Sequence, residues 1–307
     1  MKKVLIITII LCLSMLVACN NEATFIDEAN FNVVLIDEQI KDYISKSRNN
    51  SSNINNYYQD IIVKTINNEF GYDKEIINSN DSYIGDTIYN LDLYEKELNI
   101  LLKEDAVGIV KEALKKSNNY LLEEEIITTV CILPADPANF FISNQMKGVT
   151  GITYEKGKIL ILINPLTEDW KNTLNYTIAH EYHHSTWSTR QTRAGNKISF
   201  TVLDYLILEG RADSFAHMVY PNMNAPWVEN LEDEKKIWEK IKPNLKNTDY
   251  TYMQKVIFGD YSEYPLWTGY KIGYSIVQTF LKNNPNISIE EWTDLSSDEL
   301  LLMSGYE

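Results

Sequence analysis

Three of the four histidines in this chain fall within five residues, His180-Glu181-Tyr182-His183-His184. On a helix, residues four apart lie on adjacent turns of one face, so His180 and His184 can offer their imidazoles to one small cation. Glu181 lies about 100° further round the helix. It would stand beside such a cation rather than on it, where a general base toward a metal-polarised water belongs. The chemistry this pattern supports is metal-assisted hydrolysis, with Glu181 as the catalytic carboxylate.

A third ligand is needed, and the best candidate is Glu209 in Leu206-Ile207-Leu208-Glu209-Gly210-Arg211-Ala212-Asp213. A carboxylate in so apolar a helix is costly unless it is paired or metal-bound. Its competing use is an ion pair with Arg211, Arg190 or Arg193. Asp213, one turn on, can accept from the far nitrogen of a ligating histidine and fix its tautomer. His183, and His217 one turn beyond Asp213, are placed to support ligands rather than to join them. Zinc is the metal that best suits two imidazoles and a carboxylate, one ion per chain.

These residues need elements to hold them. The pattern predicts an α+β, mostly helical fold of zincin type: a small sheet, then an active-site helix, then a glutamate-bearing helix. Short apolar runs at Ile126–Leu133, Val149–Tyr154 and Lys158–Asn164 read as strands. Thr167 is the expected N-cap of a helix reaching about Trp187, with Glu168 and Asp169 in its first turn. Leu174, Ile178 and Tyr182 share one face of it, and Tyr176, His180, His184 and Trp187 another. A helix engaged on both sides is usually central. A polar loop is expected over Ser188–Lys197 and a second helix from about Ser199 to Tyr220. Further helices are expected near 231–242, 248–257, 266–282 and 288–303. Residues 31–125 read as a mostly helical part, interrupted at Asn49–Asn53 and Asn78–Asp86, ahead of a catalytic part at 126–307.

Ile178-Ala179-His180-Glu181-Tyr182-His183-His184, Leu208-Glu209-Gly210 and Gly269-Tyr270-Lys271-Ile272-Gly273-Tyr274 together resemble a bacterial family of predicted zinc-dependent proteases of gluzincin type, over about residues 125 to 285. The resemblance implies zinc ligands at His180, His184 and Glu209 and a catalytic Glu181. Glu209 and Asp213 match the Glu-x-x-x-Asp pattern of better-known gluzincins, although Leu208 stands where those carry Asn. The metzincin pattern needs a third His soon after the motif, and none follows. In gluzincins a later Tyr or His donates to the developing oxyanion; Tyr270 and Tyr274, one turn apart, are both candidates.

The N-terminus adds an address. Lys2-Lys3 precede an apolar run, Val4–Val17, that ends in Leu16-Val17-Ala18-Cys19. This reads as a lipoprotein signal over residues 1–18, with Cys19 lipidated and residues 19–30 a tether. The expected location is extracytoplasmic, anchored to the bacterial membrane through Cys19. Cys131 is then left without a disulfide partner and reads as a buried core thiol. With 43 acidic against 28 basic side chains, the net charge is −15, which disfavours nucleic acid as a partner. The expected partner is a peptide or protein substrate. Three readings stay open from the sequence: a membrane-tethered zinc peptidase, a non-catalytic binding lipoprotein with a structural zinc site, and a zinc hydrolase acting on a non-peptide amide or ester.

Overall fold

The computed structural model describes residues 30–71, 84, 87–123, 125–155, 157–195 and 200–307. The expected signal and Cys19, and most of the Asn78–Asp86 loop, lie outside these residues. Among the described residues no helix is long and apolar enough to cross a membrane.

Four strands form one mixed sheet: β1 (Phe31–Leu35), β2 (Thr128–Pro134), β3 (Val149–Glu155) and β4 (Lys158–Ile163), in the order β1-β2-β4-β3. The inner strands β2 and β4 run parallel, with Val130 opposite Ile159. Both are buried almost throughout, which explains why they read as unbroken apolar runs instead of alternating ones. Cys131 is buried in β2. Strand β3 is antiparallel to β4 and forms an edge, with Gly151 opposite Ile161.

Strand β1 corrects the sequence reading, which placed residues 31–35 in the mostly helical part. Phe31-Asn32-Val33-Val34-Leu35 pairs in parallel with β2. Five residues are too few to establish a period, and their branched apolar side chains suit a pleated, half-buried surface.

Ten helices are labelled here: α1 (Asp37–Asn49), α2 (Leu91–Lys103), α3 (Ala106–Tyr120), α4 (Trp170–Arg193), α5 (Val202–Val219), α6 (Glu234–Ile241), α7 (Tyr250–Phe258), α8 (Thr268–Asn283), α9 (Ile289–Asp294) and α10 (Ser297–Ser304). Between α1 and α2 the chain is helical through Ile54–Tyr57, a π-helical stretch Tyr58–Val63, and Lys64–Phe70.

Helix α4 departs from expectation at both ends. Thr167 does not cap it. The cap position is Asp169, in left-handed backbone at φ 60°, and Thr167 packs against Gly148 instead. At the other end the helix continues six residues past Trp187, because nothing in the polar stretch breaks it before Gly195 at φ 73°. Arg190 and Arg193 fasten this last turn through Asp294 (2.7 Å) and Glu123 (3.2 Å). Helix α5 opens on a capping box formed by Thr201 and Asp204. The stretch expected as one helix at 288–303 is two, because Ser296 and Glu299 form a second capping box that restarts it.

Helices α5 and α8 approach each other closely. A Cβ on Gly210 would stand 2.2 Å from the Gly273 backbone, and one on Gly273 would stand 2.0 Å from the Leu206 carbonyl oxygen. Only glycine at both positions lets these helices approach backbone to backbone. Gly273→Ala is therefore expected to cost about 3 kcal/mol or more, seen as a lowered urea midpoint.

Glu97 on α2 is fully buried, and neither of its carboxylate oxygens has a hydrogen-bond partner. Burial, with a smaller contribution from Asp136, pushes its pKa up from 4.5 to about 8. The folded chain thus holds the proton that the unfolded chain releases. Stability from this group is complete below the unfolded value and is lost as pH rises toward 8. Glu97→Gln is expected to flatten that slope between about pH 5 and 8 and to be roughly 2–4 kcal/mol more stable than wild type at pH 8, by urea melts across pH.

Candidate metal centre

Helix α4 runs between the sheet and α5, so both of its faces are engaged. Its His180-Glu181 segment is buried, and His184 is partly so. His180 Nε2 lies 2.9 Å from His184 Nε2, and Glu209 Oε2 lies 3.2 Å from the first and 3.4 Å from the second. These three residues are the only such group of potential metal ligands among the described residues.

This triangle fits a metal. Two imidazole nitrogens facing each other at 2.9 Å repel through their lone pairs unless a proton or a cation lies between them. Glu209 Oε2 is buried close to both histidines yet accepts no well-aligned hydrogen bond. A tetrahedral zinc with bonds of ~2.0–2.1 Å needs donor atoms about 3.3 Å apart, close to the spacing seen. The arginines that could have neutralised Glu209 are engaged elsewhere: Arg211 with the Leu295 carbonyl, Arg190 with Asp294, and Arg193 with Glu123.

Electrostatics hold the three together. Burial works against charge on Glu209, but His184 and His180 overcome it and hold its carboxyl below the usual range. Burial likewise opposes a charged His180, yet Asp213 and Glu209 raise its pKa well above the ordinary value.

Asp213 sets the histidine's orientation. Its Oδ1 accepts from His180 Nδ1 (3.1 Å), the Tyr176 hydroxyl (3.1 Å) and Trp227 Nε1 (3.0 Å). With its proton fixed on Nδ1, His180 turns the Nε2 lone pair toward Glu209 and His184. Tyr176 and Trp227 were not picked out from the sequence. Tyr176 sat on the expected histidine face, but Trp227 lies in a loop whose sequence carries no such signal.

Glu181 points to the edge strand. The Thr153 hydroxyl lies 2.7 Å from Glu181 Oε2 and 3.0 Å from its backbone oxygen. A Cβ at Gly151 would stand 2.5 Å from Glu181 Cγ, so this glycine makes room for the carboxylate. Neither residue was singled out beforehand. A threonine or glycine in a short strand announces nothing until its neighbour is known.

The remaining candidates separate. The Tyr270 ring stacks on His180 at 6.4 Å between centroids, and Tyr270 lines the cleft above the triad. Tyr274 does not line that cleft; it packs against His217, 6.1 Å away, on the Asp213 side of α5. His183 faces away from the triad. It stacks on Trp292 and lies 3.3 Å from the Thr293 hydroxyl, and burial holds its pKa well below the ordinary value, so it is neutral.

The triad opens into a cleft of roughly 680 Å³. It is lined by α4, by β3 from Thr150 to Tyr154, by Tyr205 and Leu208 of α5, and by α7 with the turn after it. A recess by Tyr176, Trp227 and Trp267 continues it past His180.

The family model described as Predicted Zn-dependent protease (DUF2268) matches residues 106–302. The chain belongs to this family. The match takes in both motif helices and the edge strand, and also α3, which lies before the stretch recognised from the sequence. The Bacillus subtilis (strain 168) protein named Uncharacterized protein YjfC is 27% identical over 224 residues, covering 67% of this chain and 72% of that protein. No solved structure matches.

Removing the Asp213 carboxylate frees the His180 ring. Asp213→Ala is expected to weaken zinc binding by about 10–100-fold, measured by competition with a chromophoric chelator.

Proposed function

We propose that this protein is a zinc-dependent peptidase. The observation that carries this reading is the convergence of His180, His184 and Glu209 on one point at the floor of a cleft, with Glu181 beside them. The family's description, predicted Zn-dependent protease, supports it. Zinc held by these three side chains would supply a Lewis acid that polarises a carbonyl and lowers the pKa of water.

The chain's own residues supply the rest. Glu181, steadied by Thr153, takes a proton from the attacking water and delivers it to the leaving amine. Tyr270, stacked on His180 at the cleft wall, donates its hydroxyl proton to the oxygen on which negative charge develops. Strand β3 pairs with β4 on one side only among the described residues, and its cleft-facing segment can take an extended peptide by strand addition. We place this activity outside the cytoplasm, on a chain anchored through lipidated Cys19, on the strength of the N-terminal sequence.

Glu181→Gln is expected to keep a full zinc complement and lose about 10²–10⁴-fold in cleavage of a peptide library, and Tyr270→Phe to lose about 10²-fold in kcat with little change in KM. Tyr274→Phe is expected to behave as wild type. Elemental analysis and product mapping on the same preparations read the outcome. A wild-type chain that takes up no zinc, or a Glu181→Gln variant that cleaves at the wild-type rate, would sink the reading. Zinc binding with no cleavage by any variant would favour the binding lipoprotein instead.

A further inference from the structure

Helix α7 presents a stripe to the cleft. Tyr250, Gln254, Ile257 and Phe258 line it, and Tyr261 continues the same spacing beyond the helix end. Tyr250, Gln254, Ile257 or Phe258, and Tyr261 recur at intervals of three and four, so one face of α7 is given to the cleft. The helix carries a single charge, Lys255, which is turned to Asp260 (3.1 Å) and Glu263 (2.6 Å). The wall is therefore uncharged and mostly aromatic and aliphatic, with Gln254 its one polar side chain on the helix.

Tyr261 stands out within it. It is 74% exposed, and its backbone is left-handed at φ 59°, a conformation that a residue with a Cβ rarely takes. The turn imposes it. Asp260 Oδ1 accepts from the amides of Ser262, Glu263 and Tyr264 at 2.8–3.0 Å, and the amides of Asp260 and Tyr261 both donate to the Tyr264 carbonyl. A strained backbone that holds an exposed ring in the cleft that the triad lines is a feature to test for function.

The cleft's charges are as informative. Among its described lining residues the ionisable groups of acid or base type are His180, His184, Glu181 and Glu209, all belonging to the candidate centre. An enzyme that trims chain ends needs a countercharge for the terminal ammonium or carboxylate, since a desolvated charge left unpaired is costly. No lysine or arginine lines the cleft among the described residues, and the two carboxylates are committed.

We infer that the cleft takes an internal, uncharged stretch of polypeptide and seats a bulky apolar side chain against α7 and Tyr261, so that the enzyme is an endopeptidase with apolar selectivity beside the cut bond. This rests on the peptidase reading for the cut, but the selection can be measured without it. The zinc-loaded full chain carrying Glu181→Gln is titrated calorimetrically with N-acetylated, C-amidated peptides that differ at one position: Phe, Leu, Ala, Lys or Asp. Wild type is given the same peptides with capped and with free ends.

The Phe and Leu peptides are expected to bind on the order of tenfold tighter than the Ala, Lys and Asp peptides. Capping is expected to leave binding and cleavage unchanged. Tyr261→Ala in the same background should lose most of the preference and Tyr261→Phe should keep it, which separates the ring's role from that of the turn. Equal binding of all five peptides, or binding and cleavage that require a free terminus, overturns the inference. Selective binding of capped apolar peptides without cleavage by wild type overturns the peptidase reading and leaves the selectivity standing.

Discussion

The backbone contact between Gly210 and Gly273 is the constraint on which the site depends. Glu209 is the residue before one glycine, and Tyr270 lies one turn before the other. When α5 and α8 close to backbone distance, the carboxylate reaches the two imidazoles and the tyrosine ring reaches His180 in one movement. A side chain at either glycine would separate the third ligand from the other two or lift Tyr270 off the histidine. Packing and chemistry are thus specified by the same pair of residues.

The second organising contact is electrostatic. Asp213 gathers three donors on one oxygen, two from α4 (His180 and Tyr176) and one from Trp227 in the short 3-10 turn Pro226–Val228. It ties α4 to the turn bearing Trp227 while fixing which nitrogen of His180 carries the proton. The apolar residues around it weaken competition from water, so these hydrogen bonds and the Glu209–histidine attraction act in a low dielectric, where they are strong and where leaving any partner out is costly.

Much of this could be read in the sequence because it is helical and local. His180, Glu181 and His184 are set by spacing on one helix, and Glu209 by the cost of an acid among leucines. The parts that escaped are those that only tertiary contact defines. Thr153 and Gly151 matter because β3 lies across Glu181, and Trp227 matters because a loop returns to Asp213. The two tyrosines on α8 looked equivalent, one turn apart, but Tyr270 lines the cleft and Tyr274 packs on His217. Strand β1 was missed because five apolar residues fit either a strand or a helix until a partner strand is in view. The helix ends moved for local reasons: a left-handed Asp169 replaced Thr167 as the cap, and a capping box at Ser296 divided one expected helix into two.

The partnership of β1 with β2 has a kinetic side. Strands β3 and β4 are only two residues apart in the chain, so their pairing closes a very short loop. Strand β1 must instead wait for β2 across the whole stretch from Leu35 to Thr128. Closing so long a loop costs entropy before any contact repays it. Pairing β1 with β2 therefore carries a larger loop-closure cost than pairing β3 with β4.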